Sequence, residues 1–229
     1  MTNGPDVHRA SVTKSYSRLA PEYDLRWARY IVASTRETAA RLILAPGERL
    51  LDVGCGTGAL IEHLSNNRGS LRLFGVDPVS GMLAIARRKV PTSVALCQGW
   101  AEQLPFPSAS FDAVVSCNVF HYLMDPTLAL REMERVLRPG GTLLVTDWCD
   151  DYVACRLCGL YLRVFHRSQV RIYRSQTCIQ MIRGAKFETV GLARYKISWL
   201  WGLMTATAKK IEYFERITEQ SEEARAENL

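Results

Sequence analysis

The stretch Leu50-Leu51-Asp52-Val53-Gly54-Cys55-Gly56-Thr57-Gly58 constrains this chain more than any other. An apolar run stops at three glycines in alternate positions and resumes at Ala59-Leu60, so a buried strand must turn sharply into a helix. Gly54, Gly56 and Gly58 permit the turn, because a residue without Cβ tolerates positive φ and lets the backbone approach a ligand closely. Asp77 stands 19 positions past Gly58, at the end of the next apolar run. An acidic residue so placed accepts hydrogen bonds from a ribose, and a helix starting on the glycines offers backbone N–H groups to an anion. The unit reads as a nucleoside-binding strand–helix–strand. Its phasing, D-x-G-x-G-x-G, differs from the G-x-G-x-x-G that carries a dinucleotide pyrophosphate, and no phosphate-gripping Lys follows. A plain tight connection would explain the glycines but not their spacing to Asp52 and Asp77.

The rest of the chain continues the alternation. Helices are expected over Thr13–Tyr23 and Trp27–Leu44, the second with an apolar stripe of Ile31, Val32, Thr35, Ala39, Leu42 and Ile43. Pro46-Gly47 is a turn before strand Arg49–Val53. Helix Ala59–Asn66, stopped at Gly69, precedes strand Leu71–Val76, and helix Ser80–Lys89 precedes strand Ser93–Gln98. Phe111–Cys117 is a fourth strand, Pro126–Leu137 a helix ended by Arg138-Pro139-Gly140-Gly141, and Thr142–Asp147 a fifth strand. Helices of this length between strands imply a parallel sheet covered on both faces, with ligands at the carboxyl ends of the strands where the winding reverses, here at the first strand. Beyond Trp148 the alternation lapses. Asp151–His166 and Ser175–Arg183 read as helices, Glu188–Lys196 and Leu200–Thr207 as a terminal strand pair, and residues 208–229 as a charged helix. That last helix has a thin apolar stripe (Ile211, Phe214, Ile217) that could dock on the domain, lid the pocket or form a dimer contact.

Composition narrows the class. The 229 residues, 48% apolar with five Trp, fit one domain with a full core. No apolar run approaches the roughly 20 residues of a membrane span, and the polar stretch Met1 to Ser17 has no apolar signal core, so a cytoplasmic protein is expected. The seven cysteines are scattered, and Cys55, Cys97 and Cys117 are expected as buried hydrophobes. Cys155-x-x-Cys158 lacks a second pair to complete a zinc site, so no metal is expected. The net charge of +6 gathers in residues 150–208, where nine bases face three acids. Such a segment suits an anionic acceptor or peripheral membrane contact, although bases spread this widely also make an ordinary solvated face. No aromatic–basic repeat suggests an RNA-reading module, and no nucleic-acid partner is expected.

Four segments carry a family resemblance: LLDVGCGTGAL, GVDPVSGMLAIA, GWAEQLPFPSASFDAVVSCNVFHYL and ALREMERVLRPGGTLLVTD, together covering roughly residues 48–148. They resemble class I S-adenosylmethionine (SAM) methyltransferases of the ubiquinone/menaquinone-biosynthesis type, and Ser15–Asp24, SYSRLAPEYD, is similar to that group's N-terminal segment. The resemblance implies an α/β, Rossmann-like fold with a seven-stranded, mostly parallel sheet and helices on both faces. It divides the chain into an N-terminal helical cap (1–47), a SAM-binding domain (48–208) whose last part, 150–208, lies on the substrate side, and the charged helix (209–229). SAM is the implied cofactor and S-adenosylhomocysteine its product. The implied binding residues are Asp52, Gly54, Cys55, Gly56, Gly58, Asp77, Pro78 and Met82 around the turn; Trp100, Ala101 and Glu102 at the adenine end; and Asn118 and His121 near the methionine end. Tyr16 and Tyr23 would lie near the sulfonium, where an aromatic face suits a cation, or else simply pack the helix.

One position departs from the family. Related sequences read Gly-Asp-Ala-Glu where this chain has Gly99-Trp100-Ala101-Glu102, and an indole cannot accept the adenine amino hydrogen. Either Trp100 packs beside the ring, or Gln98 or a backbone carbonyl takes the polar role. For catalysis, methyl transfer needs an in-line nucleophile, and a hydroxyl or acidic carbon needs a base. His121 and Asp147, at strand ends facing the cofactor, are the candidate bases, with packing as the alternative for His121. The acceptor is expected to be small or lipid-like, of quinone or phenol type by resemblance, methylated at O, C or N. A non-catalytic SAM-binding scaffold is the alternative function, and the oligomeric state is left open.

Overall fold

The structure is a computed structural model, and it describes residues 5–157, 160, 171–198 and 201–211. In chain order the elements are α1 (Pro5–Ala40), β1 (Arg49–Val53), α2 (Ala59–Asn67), β2 (Arg72–Asp77), α3 (Ser80–Lys89), β3 (Ala95–Gln98), β4 (Phe111–Cys117), a 3-10 turn (Phe120–Tyr122), α4 (Pro126–Val136), β5 (Leu137–Trp148), α5 (Ser175–Gly184), β6 (Phe187–Lys196) and β7 (Gly202–Lys210). The seven strands form one sheet in the order β3-β2-β1-β4-β5-β7-β6. The first five pair in parallel, whereas β7 runs antiparallel to both neighbours.

Period-two alternation divides each central strand between two cores. Leu51, Val53 and Val114 face one side with Leu130, Met133 and Val136 of α4 and Ile179 and Ile182 of α5. Leu50, Ala113, Val115 and Leu144 face the other with Leu60, Ile61 and Leu64 of α2 and Leu83 of α3. α4 begins where the sequence marks it: Asp125 accepts the Leu128 N–H at 2.9 Å, and Pro126 occupies the first turn, where its missing N–H costs nothing.

Several expectations are corrected. The two expected N-terminal helices are present, joined across a kink at Trp27 (φ −112°, ψ 15°) within α1, but the first starts at Pro5 and the second ends at Ala40 rather than Leu44, ahead of Pro46. Its expected apolar stripe is only partly inward, since Val32 is 67% and Ile43 92% exposed. Thr35, Ala39 and Leu42 of that stripe are buried as expected, and Ser34 and Thr38 join them on the inward face. Those hydroxyls bond within the protein: Thr38 Oγ1 donates to Ser34 O at 2.7 Å and lies 2.9 Å from Thr146 Oγ1. α2 is capped by Arg68, one residue before Gly69. Arg138-Pro139-Gly140-Gly141 does not stand between helix and strand. It is a bulge inside β5, where the pairing jumps from Phe111↔Leu137 to Ala113↔Thr142 and Gly140 takes φ 69°. Lys209 and Lys210, expected in the terminal helix, belong to β7 because they pair with β5 and β6. Residues 212–229, half of the expected helix Asp151–His166 (158–159 and 161–166), and Trp199-Leu200 lie outside the described residues. Among the described residues no helix is long and apolar enough to cross a membrane, and no cluster of His, Cys, Asp and Glu suits a metal. In the basic segment, Arg156 and Arg174 lie near Asp150, and Arg194 near Asp151.

Candidate active site

Where β1 ends, the chain turns through Gly54 (φ 74°) and Gly56 (φ 52°) to Gly58, the N-cap of α2. At Gly54 a side chain has no room, since a Cβ would stand 2.4 Å from the side chain of Val119. Gly56 is different: its missing Cβ leaves open space on the cleft, and its N–H points to the acid of β2. Asp77 Oδ2 accepts that N–H at 2.9 Å, and Asp77 Oδ1 accepts Val79 N–H at 2.8 Å. One carboxylate thus ties the glycine turn to the loop that starts α3. Burial lifts the Asp77 pKa to about 6, opposed by these two hydrogen bonds.

Asp52, fully enclosed at the end of β1, is pushed up to about 8 by burial and then by the charge on Asp77. At neutral pH the pair therefore holds one proton on Asp52 and one negative charge on Asp77. An acid with a raised folded-state pKa adds stability below its unfolded value of about 3.9 and loses it as pH climbs through the folded value. Asp52→Asn is accordingly expected to melt above the parent at pH 9, with the advantage shrinking towards pH 4. Thermal unfolding across that range without this convergence would contradict the assignment.

The cleft beside the turn has a roof of α1. Tyr16 and Tyr23 line it, with Cys55, Pro78, Met82 and Asn118 on the opposing walls. Tyr16 meets Tyr23 at 6.0 Å and Tyr122 edge-on at 5.4 Å between ring centroids. Burial raises all three phenols, so each stays neutral. α1 is pinned by Asp24, which accepts the Thr57 hydroxyl at 2.6 Å and pairs with Lys89 at 2.9 Å, while Lys89 also reaches Glu62 at 3.1 Å. A second compartment adjoins the first and shares Gly54, Pro78, Val119 and Tyr122 with it; Trp100, Ala101 and Glu102 line its far side. Glu102 accepts the Met124 N–H at 3.2 Å, and the Arg9 guanidinium covers the Trp100 ring at 5.0 Å. Of the two sequence alternatives, Trp100 lines this compartment, whereas Gln98 donates to Pro78 O at 2.8 Å and does not.

Asn118 closes the inner end in a left-handed conformation (φ 63°), which Asn tolerates better than most residues. Its Oδ1 accepts from Tyr30 Oη at 2.7 Å, its Nδ2 donates to Ser34 Oγ at 2.8 Å, and Trp148 Nε1 donates to Tyr30 Oη at 2.5 Å. Tyr30 also meets Trp27 and Trp201, and Trp148 packs against Trp201, so an aromatic wall stands behind Asn118. His121 and Asp147 line neither compartment. They are buried together: Asp147 lies 2.6 Å from His121 Nδ1 and accepts the N–H groups of His121 (3.0 Å) and Trp148 (2.6 Å). The His121 ring stacks on Trp148 at 4.7 Å and stands 4.2 Å from that of Tyr122. Sequence reasoning missed Tyr30, Ser34, Thr57 and Asp24. Tyr30, Ser34 and Thr38 follow one another at four-residue spacing on one helix face, a legible signal that a hydropathy count discards.

These residues fit a nucleoside bearing an amino-acid tail. Asp77 retains acceptor capacity beyond its two N–H partners, the open face at Gly56 would be filled by any side chain, and the cleft divides into a turn-side and a Trp100-side compartment. Comparison with known proteins agrees. The model of the methyltransferase-domain family matches residues 51–145. A malonyl-[acyl-carrier protein] O-methyltransferase of Serratia marcescens is 37% identical over 63% of this chain and 55% of its own length. A demethylmenaquinone methyltransferase of Thermus thermophilus is 36% identical over 58% and 64%. An uncharacterized methyltransferase of Bacillus subtilis, YdaC, is 32% identical over 52% and 69%. The chain thus spans between half and two thirds of the length of the first two relatives. Among solved structures, a SAM-dependent methyltransferase of Thermotoga maritima superposes with a TM-score of 0.72 over 86% of this chain and 99% of that one, at 22% identity. That likeness concerns the fold.

Proposed function

We propose what this chain methylates from an established premise: it belongs to the SAM-dependent methyltransferase family. The reading supported best is methyl transfer to a small, largely apolar acceptor of quinone or phenol type. The observation that carries it is the cleft itself, with Asp77 and the glycine turn on one side and the aromatic wall of Trp27, Tyr30, Trp148 and Trp201 close behind Asn118. Bound SAM supplies an electrophilic methyl group on its sulfonium. In this reading the chain's own residues do the rest. Asp77 holds the ribose hydroxyls, the amides at the start of α2 receive the carboxylate, and Trp100 packs beside the adenine in place of a polar contact. Tyr16 and Tyr23 turn aromatic faces to the positive sulfur and keep water out. The neutral phenols cannot take a proton near pH 7. His121 lines neither compartment, so in this reading it is a positioning residue: held by Asp147, its ring packs on Tyr122, which faces the cleft.

Two relatives are named for methylating demethylmenaquinone and malonyl-[acyl-carrier protein], and the first name favours a quinone-type acceptor here. Val153, Leu157 and Leu160, exposed beside Arg156, support a lipid-facing surface for delivery of such an acceptor. The test is titration calorimetry with SAM and S-adenosylhomocysteine, followed by incubation of the protein with methyl-labelled SAM and a hydroquinone, a catechol or a fatty acid, with and without anionic vesicles. Saturable cofactor binding and label in the solvent-extractable product are expected, with more label when vesicles are present. His121→Gln is expected to lose turnover while still binding SAM. Absence of cofactor binding, or label confined to protein or nucleic acid, would overturn the reading. Unchanged turnover in His121→Gln would remove the positioning role.

A further inference from the structure

At the end of the sheet opposite the cleft, the amino ends of β1 and β2 and the loops entering β2 and β3 border a second groove of about 590 Å³. Arg49, Arg68 and Arg72 line it, and no acidic residue does. Other arginines meet carboxylates, as in Arg135–Glu132 and Arg138–Asp112. None of these three forms an ion pair with a described residue.

The groove also holds orphaned polar atoms. Arg49 opens β1 with its backbone N–H on Asp112 Oδ2 at 2.8 Å, and its guanidinium lies over Phe74 at 4.8 Å and Phe111 at 5.6 Å. Its Nε is buried with no hydrogen-bond partner. The hydroxyl of Ser65, on α2 and lining the same groove, is likewise buried and unpartnered. Buried polar atoms without partners are rare, and two in one concavity mark a place where something else supplies the bonds. Arg68 donates to Leu42 O at 2.7 Å and Ala39 O at 3.2 Å, so its charge is fixed in position, and Arg72 stands exposed at the rim.

We propose that this groove binds the phosphate of a small organic phosphomonoester. Three guanidinium groups without ion-pair partners and a hydroxyl match a dianionic, tetrahedral oxyanion better than a single carboxylate, because planar N–H forks grip phosphate oxygens in pairs. Stacking on two rings holds the Arg49 fork without occupying its donors. Leu71 and Val94 give the organic part an apolar wall. The site lies at the other end of β1 and β2 from Asp77, so it is separate from the methyl-donor cleft.

The test titrates the intact chain with glycerol 3-phosphate, inorganic phosphate and phosphatidic-acid vesicles, by calorimetry and phosphorus NMR at ionic strength matched with sodium chloride. Glycerol 3-phosphate is expected to bind saturably and more tightly than inorganic phosphate, without displacement by SAM. Arg72→Ala and Ser65→Ala, neither of which removes a packed side chain, are each expected to weaken it, Arg72→Ala by about tenfold. Thermal shift by glycerol 3-phosphate should disappear in the double variant while the shift by SAM persists. Binding only of vesicles, binding unaffected by both variants, displacement by SAM, or an effect reproduced by matched chloride would each overturn the proposal.

Discussion

Asp77→Asn is expected to lower the affinity for SAM by about two to three orders of magnitude. The carboxylate has two duties that the amide cannot share. Its oxygens already take the N–H groups of Gly56 and Val79, and the same oxygens would accept the ribose hydroxyls. An Asn replaces one acceptor with an N–H₂ donor, which leaves one of those backbone donors facing another donor and one ribose hydroxyl unmatched. Hydrogen bonds to a charged group contribute about 1.5–3 kcal/mol each, and losing two of them near the lower end of that range corresponds to the stated drop. Calorimetric titration with S-adenosylhomocysteine at pH 8 measures it, and a change of less than about threefold would contradict the role. The pH dependence supplies a second signature. Because the Asp77 pKa lies at about 6, parent affinity should fall as pH drops through that value, whereas the Asn variant should stay flat.

Asp147→Ala is expected to cost about 3–5 kcal/mol of stability, because buried donors left without an acceptor cost about 1–3 kcal/mol each. The carboxylate is 2% exposed and gathers the His121 backbone, the His121 ring and the Trp148 backbone within 3.0 Å. Truncation leaves two backbone N–H groups and a ring nitrogen buried without an acceptor. For a chain of this size the loss corresponds to a melting temperature lower by roughly 10 °C. Asp147→Asn keeps one acceptor oxygen and should lose about half as much. Calorimetric unfolding of the three proteins decides the point, and a shift below about 1 kcal/mol in the Ala variant would show that other groups hold His121. This division of labour differs from the sequence expectation of Asp147 as a candidate base, because three donors already surround its oxygens.

The parts of the fold legible in the sequence are those set by local pattern. β1, α3 and β4 have the bounds their apolar periods and turns imply, and the glycine turn stands where alternate glycines require it. The missed parts depend on partners distant in the chain. The inward face of α1 carries hydroxyls because Thr146 and Asn118, 108 and 84 residues away from Thr38 and Ser34, supply their bonds. Tyr30 is tied to Trp148 across 118 residues, and no local window contains that pairing. The Pro-Gly-Gly run signals a break in regular backbone, but whether the break is a turn or a bulge depends on the register of the neighbouring β4. Trp100 lines its compartment through a loop whose path follows from long-range packing.

The placing of β7 has a consequence for biosynthesis. β7 sits between β5 and β6, yet it leaves the ribosome after both. Until it emerges, β6 has no strand to bond with and β5 presents a bare edge whose Leu143, Leu144 and Val145 are fully buried in the finished sheet. The nascent chain must therefore tolerate an open, sticky margin until Lys210 is free, when β6 and β7 can zip as a hairpin and seal β5 together. Chains stalled before that point should associate through β5 rather than remain single, and ribosome-release assays of staged lengths would reveal a sharp gain in solubility once β7 clears the exit tunnel.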